Sequence, residues 1–341
     1  MPLVKVVITG GTGFIGLRLA RRLVEVGALR GTGEQPQLID EIVLFDAVLP
    51  AGRPVGLDDR VEMVAGDVAD ASQLRTLLDR PDCSVFHLGS VLSAGGELDF
   101  DLAMRVNLDG GRNVLEVCRH LGSRPRLVAA STYATWGGAA MPDVVSDTAK
   151  QTPQTTYGTT KAILELLVND YTRKGFLDGR CARLPTVIIR PGKPNLAASS
   201  WVSAIFREPL AGQAYALPVP LDLRHPVAGV RTVVEGLMRL HEVSGDALGD
   251  DRAVTFPSLS VTAAEMLDAV RRVAEERLLG NVSVEPDPHI LAIVETWPTR
   301  AHFERALGLG IPIDLGLASI VRSYIEDEVT ETELAPGTAR A

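Results

Sequence analysis

The run "VKVVITGGTGFIG", Val4 to Gly16, constrains this chain more than any other stretch. Its first half is apolar and rich in β-branched residues, which suits a strand buried on both faces of a parallel sheet. Glycines then recur at three-residue spacing, Gly10, Gly13 and Gly16, and from Phe14 to Val26 the apolar residues fall at helical spacing. Strand, glycine turn and helix in direct succession form the opening of a βαβ unit. Glycine permits a tight turn and a close backbone approach, and the helix N-terminus offers free N–H groups to a pyrophosphate. Asp46 ends the next strand, "EIVLFD". A carboxylate there accepts the ribose hydroxyls of a dinucleotide and repels a 2′-phosphate, favouring NAD over NADP; the alternative is an acid that merely opens a turn.

The pattern repeats. After a polar loop, "GALRGTGEQPQ", and "EIVLFD" come "RVEMVAGD", a helix near Ala71–Leu78, "CSVFHLG", a helix from Asp101 to His120, and "RPRLVAAST". Five alternating units predict a doubly wound α/β domain with a parallel sheet, a Rossmann fold. A helix over Tyr157–Lys174 and a strand in "RLPTVIIRP" follow; beyond Gly192 proline and loop signals multiply, with helices expected at Val230–Val243, Ala263–Leu279 and near the end. The expected organisation is a nucleotide-binding domain over 1–191, to which 227–257 returns. A substrate lobe is expected from 192–226 and 258–329, and a flexible tail at 330–341. With 341 residues, 46% hydrophobic, a core of this size is readily buried. The net charge of -9 argues against nucleic acid or an anionic membrane as partner. Cys83, Cys118 and Cys181 imply no disulfide framework, and the six histidines show no metal-ligand spacing, so no metal is expected. The start lacks a leader pattern and no run approaches a membrane span, so a cytoplasmic protein is expected.

"TGGTGFIG" resembles the extended short-chain dehydrogenase/reductase superfamily, the NAD-dependent epimerase/dehydratase group, and further matches follow in order. "GDV" resembles the loop in which Asp67 and Val68 contact the adenine. "HLGS" resembles the turn that sets Leu88, Gly89 and Ser90 beside the cofactor, and "VNLDGGRNVLE" resembles the helix bearing a structural asparagine, Asn107. The resemblance further implies cofactor contacts from Phe14, Ile15, Ser131, Leu184 and Pro185. It also implies a homodimer joined through the two helices Asp101–His120 and Tyr157–Lys174.

"LVAASTYATWGG" and "TTYGTTK" resemble the two catalytic segments of these enzymes, with Thr132 at the Ser/Thr position and Tyr157 and Lys161 as the active pair. Alone, a Tyr-x-x-x-Lys spacing is common by chance and fits a solvated helix face better. The physics of the trio is nevertheless coherent. Free tyrosine titrates near pH ~10, too high for a base at neutral pH. An ammonium one helical turn away and the positive nicotinamide would favour the phenolate. Tyr157 would take the proton of a substrate hydroxyl while hydride leaves the same carbon, Thr132 would fix that oxygen, and Lys161 would also bind the nicotinamide ribose. Tyr133 is the rival base but has no lysine at helical spacing; Trp136 reads as a pocket wall.

Further segments, among them "RLPTVIIRPGKPNLAASSW", "FPSLSVTAAEMLDAV" and "PDPHILAIVETWPTRAHFERALGLG", resemble the D-erythronate dehydrogenase group over nearly the whole chain. That resemblance implies NAD-dependent oxidation of the C2 hydroxyl of a four-carbon aldonate to the 2-oxo acid. A small acid needs cationic anchors, and Lys193, Arg224 and Arg231 lie in segments expected to face it. Ser93, Thr132, Tyr133 and Thr186 are expected to complete the substrate site. "STYATWGG" and "RHPVAGV" depart from the group's usual residues, which leaves the choice of acid open. A nucleotide-sugar epimerase is the alternative, and a non-catalytic NAD-responsive regulator a third reading.

Overall fold

The computed structural model describes residues 1–31, 34–192, 198–274 and 277–328; Lys193 and the expected tail lie outside them. β1 (Leu3–Thr9) sits inside an eight-stranded sheet, with Val4, Val6, Val7 and Ile8 at most 1% exposed. Successive side chains of a strand point to opposite faces. Val4, Val6 and Ile8 therefore pack beneath the helices Phe14–Val26 and Val230–Glu242 on one face. Val7 packs on the other, with Val114, Leu115 and Leu164 of the helices Gly110–Leu121 and Thr156–Arg173. Each such side chain contributes about 1.5–3 kcal/mol of hydrophobic stabilisation. That double burial is why the strand is mostly apolar, its one charge, Lys5, being paired with Glu41 (3.0 Å) and Asp79 (3.1 Å).

The sheet also holds β2 (Ala28–Arg30), β3 (Pro36–Asp46), β4 (Val61–Ala65), β5 (Cys83–His87), β6 (Arg126–Thr132) and β7 (Asp178–Leu184). With β11 (Ala253–Thr255) as its eighth strand, its order is β11-β7-β6-β5-β1-β3-β2, with β4 also on β3, and every pairing but β2–β3 is parallel. The chain places β3 and β4 beyond β1 and then β6, β7 and β11 beyond β5, so its direction across the sheet reverses at the β1–β5 pair, where Thr9 lies opposite His87. Such a reversal opens a crevice outside the carboxyl ends of the strands. The site lies there.

The smaller sheet joins β8 (Thr186–Ile188), β10 (Arg224–Gly229) and β12 (Leu259–Thr262). A two-stranded ribbon pairs β9 (Tyr215–Leu217) with β13 (Val282–Val284). Helices Trp201–Leu210, Ala263–Ala274 and Leu317–Glu328 share this lobe's core through Phe206, Met266 and Ile320. Between the two lobes the chain crosses back, because β11 (Ala253–Thr255) pairs with β7 in the main sheet.

Three local features depart from the sequence reading. The expected loop after Val26 contains β2, whose Leu29 is 2% exposed and anchors a hairpin against β3. The expected single strand in "RLPTVIIRP" is split: Pro185 has no N–H for a ladder, so β7 ends before it and β8 joins the smaller sheet, inside the span assigned to the first domain. The expected Asp101–His120 helix includes a π-helical turn over Met104–Asp109, a form frequent at functional sites. That turn carries Asn107, whose side-chain oxygen accepts from Val91 N at 2.8 Å and Ser90 Oγ at 3.0 Å.

Candidate active site

A cavity of about 430 Å³ runs over the carboxyl ends of β1, β5, β6 and β7 and reaches the smaller lobe. Gly10, Gly13, Phe14, Ile15 and Gly16 line its first end. Gly10 is left-handed (φ 68°), and a Cβ there would lie 2.6 Å from Gly89 N, so these two backbones touch. Gly13 caps the Phe14–Val26 helix with no side-chain hydrogen bond, leaving first-turn N–H groups open to an anion. Asp46, on the same wall, is held rigidly. Its carboxylate accepts from Thr12 N at 3.1 Å, Thr12 Oγ1 at 2.9 Å and Ala47 N at 2.8 Å. This donor set and the side-chain-free cradle fit a pyrophosphate with its ribose beside a carboxylate, as NAD requires.

Leu88, Gly89 and Ser90 continue the wall beyond β5. Asn107 is off the wall and reaches the site only by bracing Ser90 and Val91. Asp67 and Val68 also lie off it. The Asp67 carboxylate is engaged by Arg105 and by Ala69 N (2.9 Å), and Val68 packs under Gly110.

The reactive end gathers Ser131, Thr132, Tyr133, Tyr157 and Lys161, with Leu184, Pro185 and Thr186 at the β7–β8 break. Tyr157 stands in the first turn of the Thr156–Arg173 helix, which Thr155 caps by accepting from Gly158 N at 3.1 Å. A Cβ on Gly158 would come within 2.1 Å of Ala134 O, so only glycine lets this helix start against the β6 turn. Tyr157 thereby shares the cavity wall with Thr132. Lys161 Nζ lies 5.8 Å from the Tyr157 ring centre. The other two hydroxyls are spent elsewhere: Ser131 Oγ donates to Glu165, and Tyr133 donates to Phe256 O at 2.6 Å. Glu165 in turn is the carboxylate of Arg183 (2.8 Å) and accepts from Gln151 Nε2 at 2.6 Å.

Burial pushes the Tyr157 phenol up to about 12, the Thr132 side chain opposing it. Burial likewise brings the Lys161 ammonium down to about 8, opposed by the nearby Cys181 and Glu165. Without a ligand's charge, then, the tyrosine is a poor base. His87, hydrogen-bonded to Thr9 Oγ1 at 2.7 Å, falls to about 3 through burial and the Lys161 charge, and stays neutral.

The far end of the cavity is formed by Ser93, Thr186 and three residues the sequence reading passed over: Arg190, His225 and Trp297. His225 hydrogen-bonds Thr186 Oγ1 at 2.7 Å between the Trp201 and Trp297 rings, and burial lowers it to about 4, keeping it neutral. The expected cationic anchors do not converge here. β10 alternates its side chains, so His225 lines the cavity while Arg224, off the wall, donates to Ser260 O at 2.6 Å. Arg231 faces the Leu317–Glu328 helix, where Asp327 (3.0 Å) and Glu326 (2.9 Å) hold it, so it is no pocket anchor. Lys193 lies outside the described residues. Arg190 closes "TVIIR", an apolar run ending in one charge, and that pattern was the available signal.

Comparison with known proteins gives the family. The model for "NAD dependent epimerase/dehydratase family" matches residues 6–246. A protein of Cupriavidus necator named D-erythronate dehydrogenase is 48% identical over 94% of this chain and 98% of its own. One of the same name from Haemophilus influenzae is 38% identical over 94% and 99%. A solved structure described as the nucleoside-diphosphate-sugar epimerase from Agrobacterium tumefaciens superposes with a TM-score of 0.88. It is 37% identical over 96% of this chain and 95% of that one. The chain thus belongs to the NAD dependent epimerase/dehydratase family, and NAD is its cofactor.

Proposed function

We propose that the protein is an NAD-dependent dehydrogenase that oxidises the C2 hydroxyl of a small sugar acid, D-erythronate or a related aldonate, to the 2-oxo acid. The observation that carries this reading is the meeting of Thr132, Tyr157 and Lys161 in the cavity that also holds the glycine cradle. Likeness to two relatives named for D-erythronate supplies the substrate class. Bound NAD supplies the hydride acceptor at its nicotinamide. Tyr157 takes the hydroxyl proton, and Thr132 holds the oxygen that becomes the carbonyl. Because burial alone raises the Tyr157 phenol, its ionisation depends on positive charge nearby, from Lys161 and from the oxidised cofactor. Burial also strengthens that charge's effect, since the effective dielectric is lower than in water.

The Agrobacterium structure's description favours a second reading, epimerisation of a nucleotide-linked sugar. The test is to follow NADH absorbance with four- to six-carbon aldonates, and nucleotide sugars in parallel. NADH from an aldonate supports the dehydrogenase. Interconversion of nucleotide sugars without net NADH replaces it with the epimerase.

A further inference from the structure

We propose that Arg190 recognises the carboxylate of the substrate, and so sets the preference for an acid over a neutral polyol. This rests on the sugar-acid reading above. The four arginines buried in the described residues each have a carboxylate partner. Arg126 and Arg180 share Asp178 (3.3 and 3.0 Å), Arg183 pairs with Glu165 (2.8 Å), and Arg207 pairs with Glu208 (2.5 Å). Arg190 differs. No described carboxylate lies within ion-pair distance of it, and its Nη1 is buried without a hydrogen-bond partner. Arg190 as a whole is half-buried, yet this nitrogen is shut off from solvent, and a guanidinium cannot relieve that cost by losing its proton, so an arriving anion would meet it.

Its position is fixed rather than floppy. Arg190 N donates to Ser203 Oγ at 3.0 Å, and Arg190 O accepts from Arg207 Nη1 at 2.9 Å. Both partners belong to the Trp201–Leu210 helix, so the main chain is held while the side chain lines the cavity. Of the described charged residues on that wall, Asp46 belongs to the ribose end and Lys161 to Tyr157. Arg190 is left for the substrate end, with Thr186, His225 and Trp297. Trp297 Nε1, also buried without a partner, is a second donor on the same wall. A planar fork of N–H groups matches both oxygens of a carboxylate, which a lysine cannot do.

The test compares wild type with Arg190→Gln and Arg190→Lys, using D-erythronate and its uncharged amide, with NAD affinity measured separately. In Arg190→Gln the KM for D-erythronate rises about 100-fold, the expected loss for a buried charge pair. NAD affinity and the kinetics with the amide stay within about threefold, because no charge is lost from those contacts. Arg190→Lys falls between, and added guanidinium partly restores Arg190→Gln. An unchanged KM, or NAD affinity falling in step with it, overturns the proposal. If wild type oxidises no aldonate, the sugar-acid reading fails independently. Titration of the NADH complex with D-erythronate and L-threonine then decides Arg190. Binding lost in Arg190→Gln upholds the anchor, whereas equal binding, or none to wild type, rejects it.

Discussion

Replacing Lys161 with methionine is expected to abolish turnover and at the same time stabilise the fold. Lys161 is 2% exposed and no described carboxylate pairs with it, since Glu165, one turn on, is committed to Arg183. Its drop from 10.5 to about 8 corresponds to roughly 3 kcal/mol against the charged form in the folded state. The direction follows from linkage. The folded pKa lies below the unfolded one, so the penalty is complete below about pH 8 and fades as pH rises towards 10.5. Methionine fills a similar volume with no charge to bury. At about pH 7 the variant should gain about 1–3 kcal/mol, seen as a rise in Tm of roughly 2–6 °C. By about pH 10 the gap should shrink below about 1 kcal/mol, because the wild-type lysine is then mostly neutral in the fold. Calorimetry of both proteins at the two pH values, with NADH formation assayed alongside, tests this. A variant less stable than wild type at pH 7 would refute the reasoning, because it would mean that the ammonium makes net favourable contacts.

Other outcomes bear on the remaining roles. Tyr157→Phe should lower kcat at least about 100-fold while NAD binding, followed by calorimetry, changes less than about threefold; ample residual turnover would remove Tyr157 as the base. Wild type should prefer NAD, and Asp46→Ser should raise the NADP-to-NAD ratio of kcat/KM about tenfold or more, since a carboxylate no longer opposes the 2′-phosphate. A wild type that already prefers NADP would contradict that role. We further expect a homodimer that covers Phe100 and Leu166, which are 58% and 65% exposed in the single chain. Light scattering should give twice the 36.5 kDa chain mass, and Leu166→Glu should halve it; a wild-type mass of one chain would end the idea.

The fold is legible in this sequence where burial leaves a periodic trace. β1 reads as largely apolar, Lys5 and Thr9 excepted, because both its faces are covered, and Phe14–Val26 shows one apolar stripe because only one face is. The glycine loop, Asp46 and Thr132 are found by motif and order, since their spacing follows from chain geometry near the strand ends. β2 leaves no trace, because three residues with a single buried Leu29 carry no period. Arg231 and Arg190 show the harder limit. Charge is visible in sequence, but whether a cation is already paired depends on carboxylates far along the chain: Glu326 and Asp327 for Arg231, none described for Arg190. The role of Arg190 thus rests on an absent partner, and no local pattern records that.

The most direct test of the central claim is the fate of the C2 hydrogen. D-Erythronate deuterated at C2 is incubated with NAD and the enzyme, and the products are read by mass spectrometry. The account predicts one deuterium on the reduced nicotinamide for each 2-oxo acid formed. Deuterium retained in the acid while NADH accumulates would move the oxidation to another carbon and contradict it.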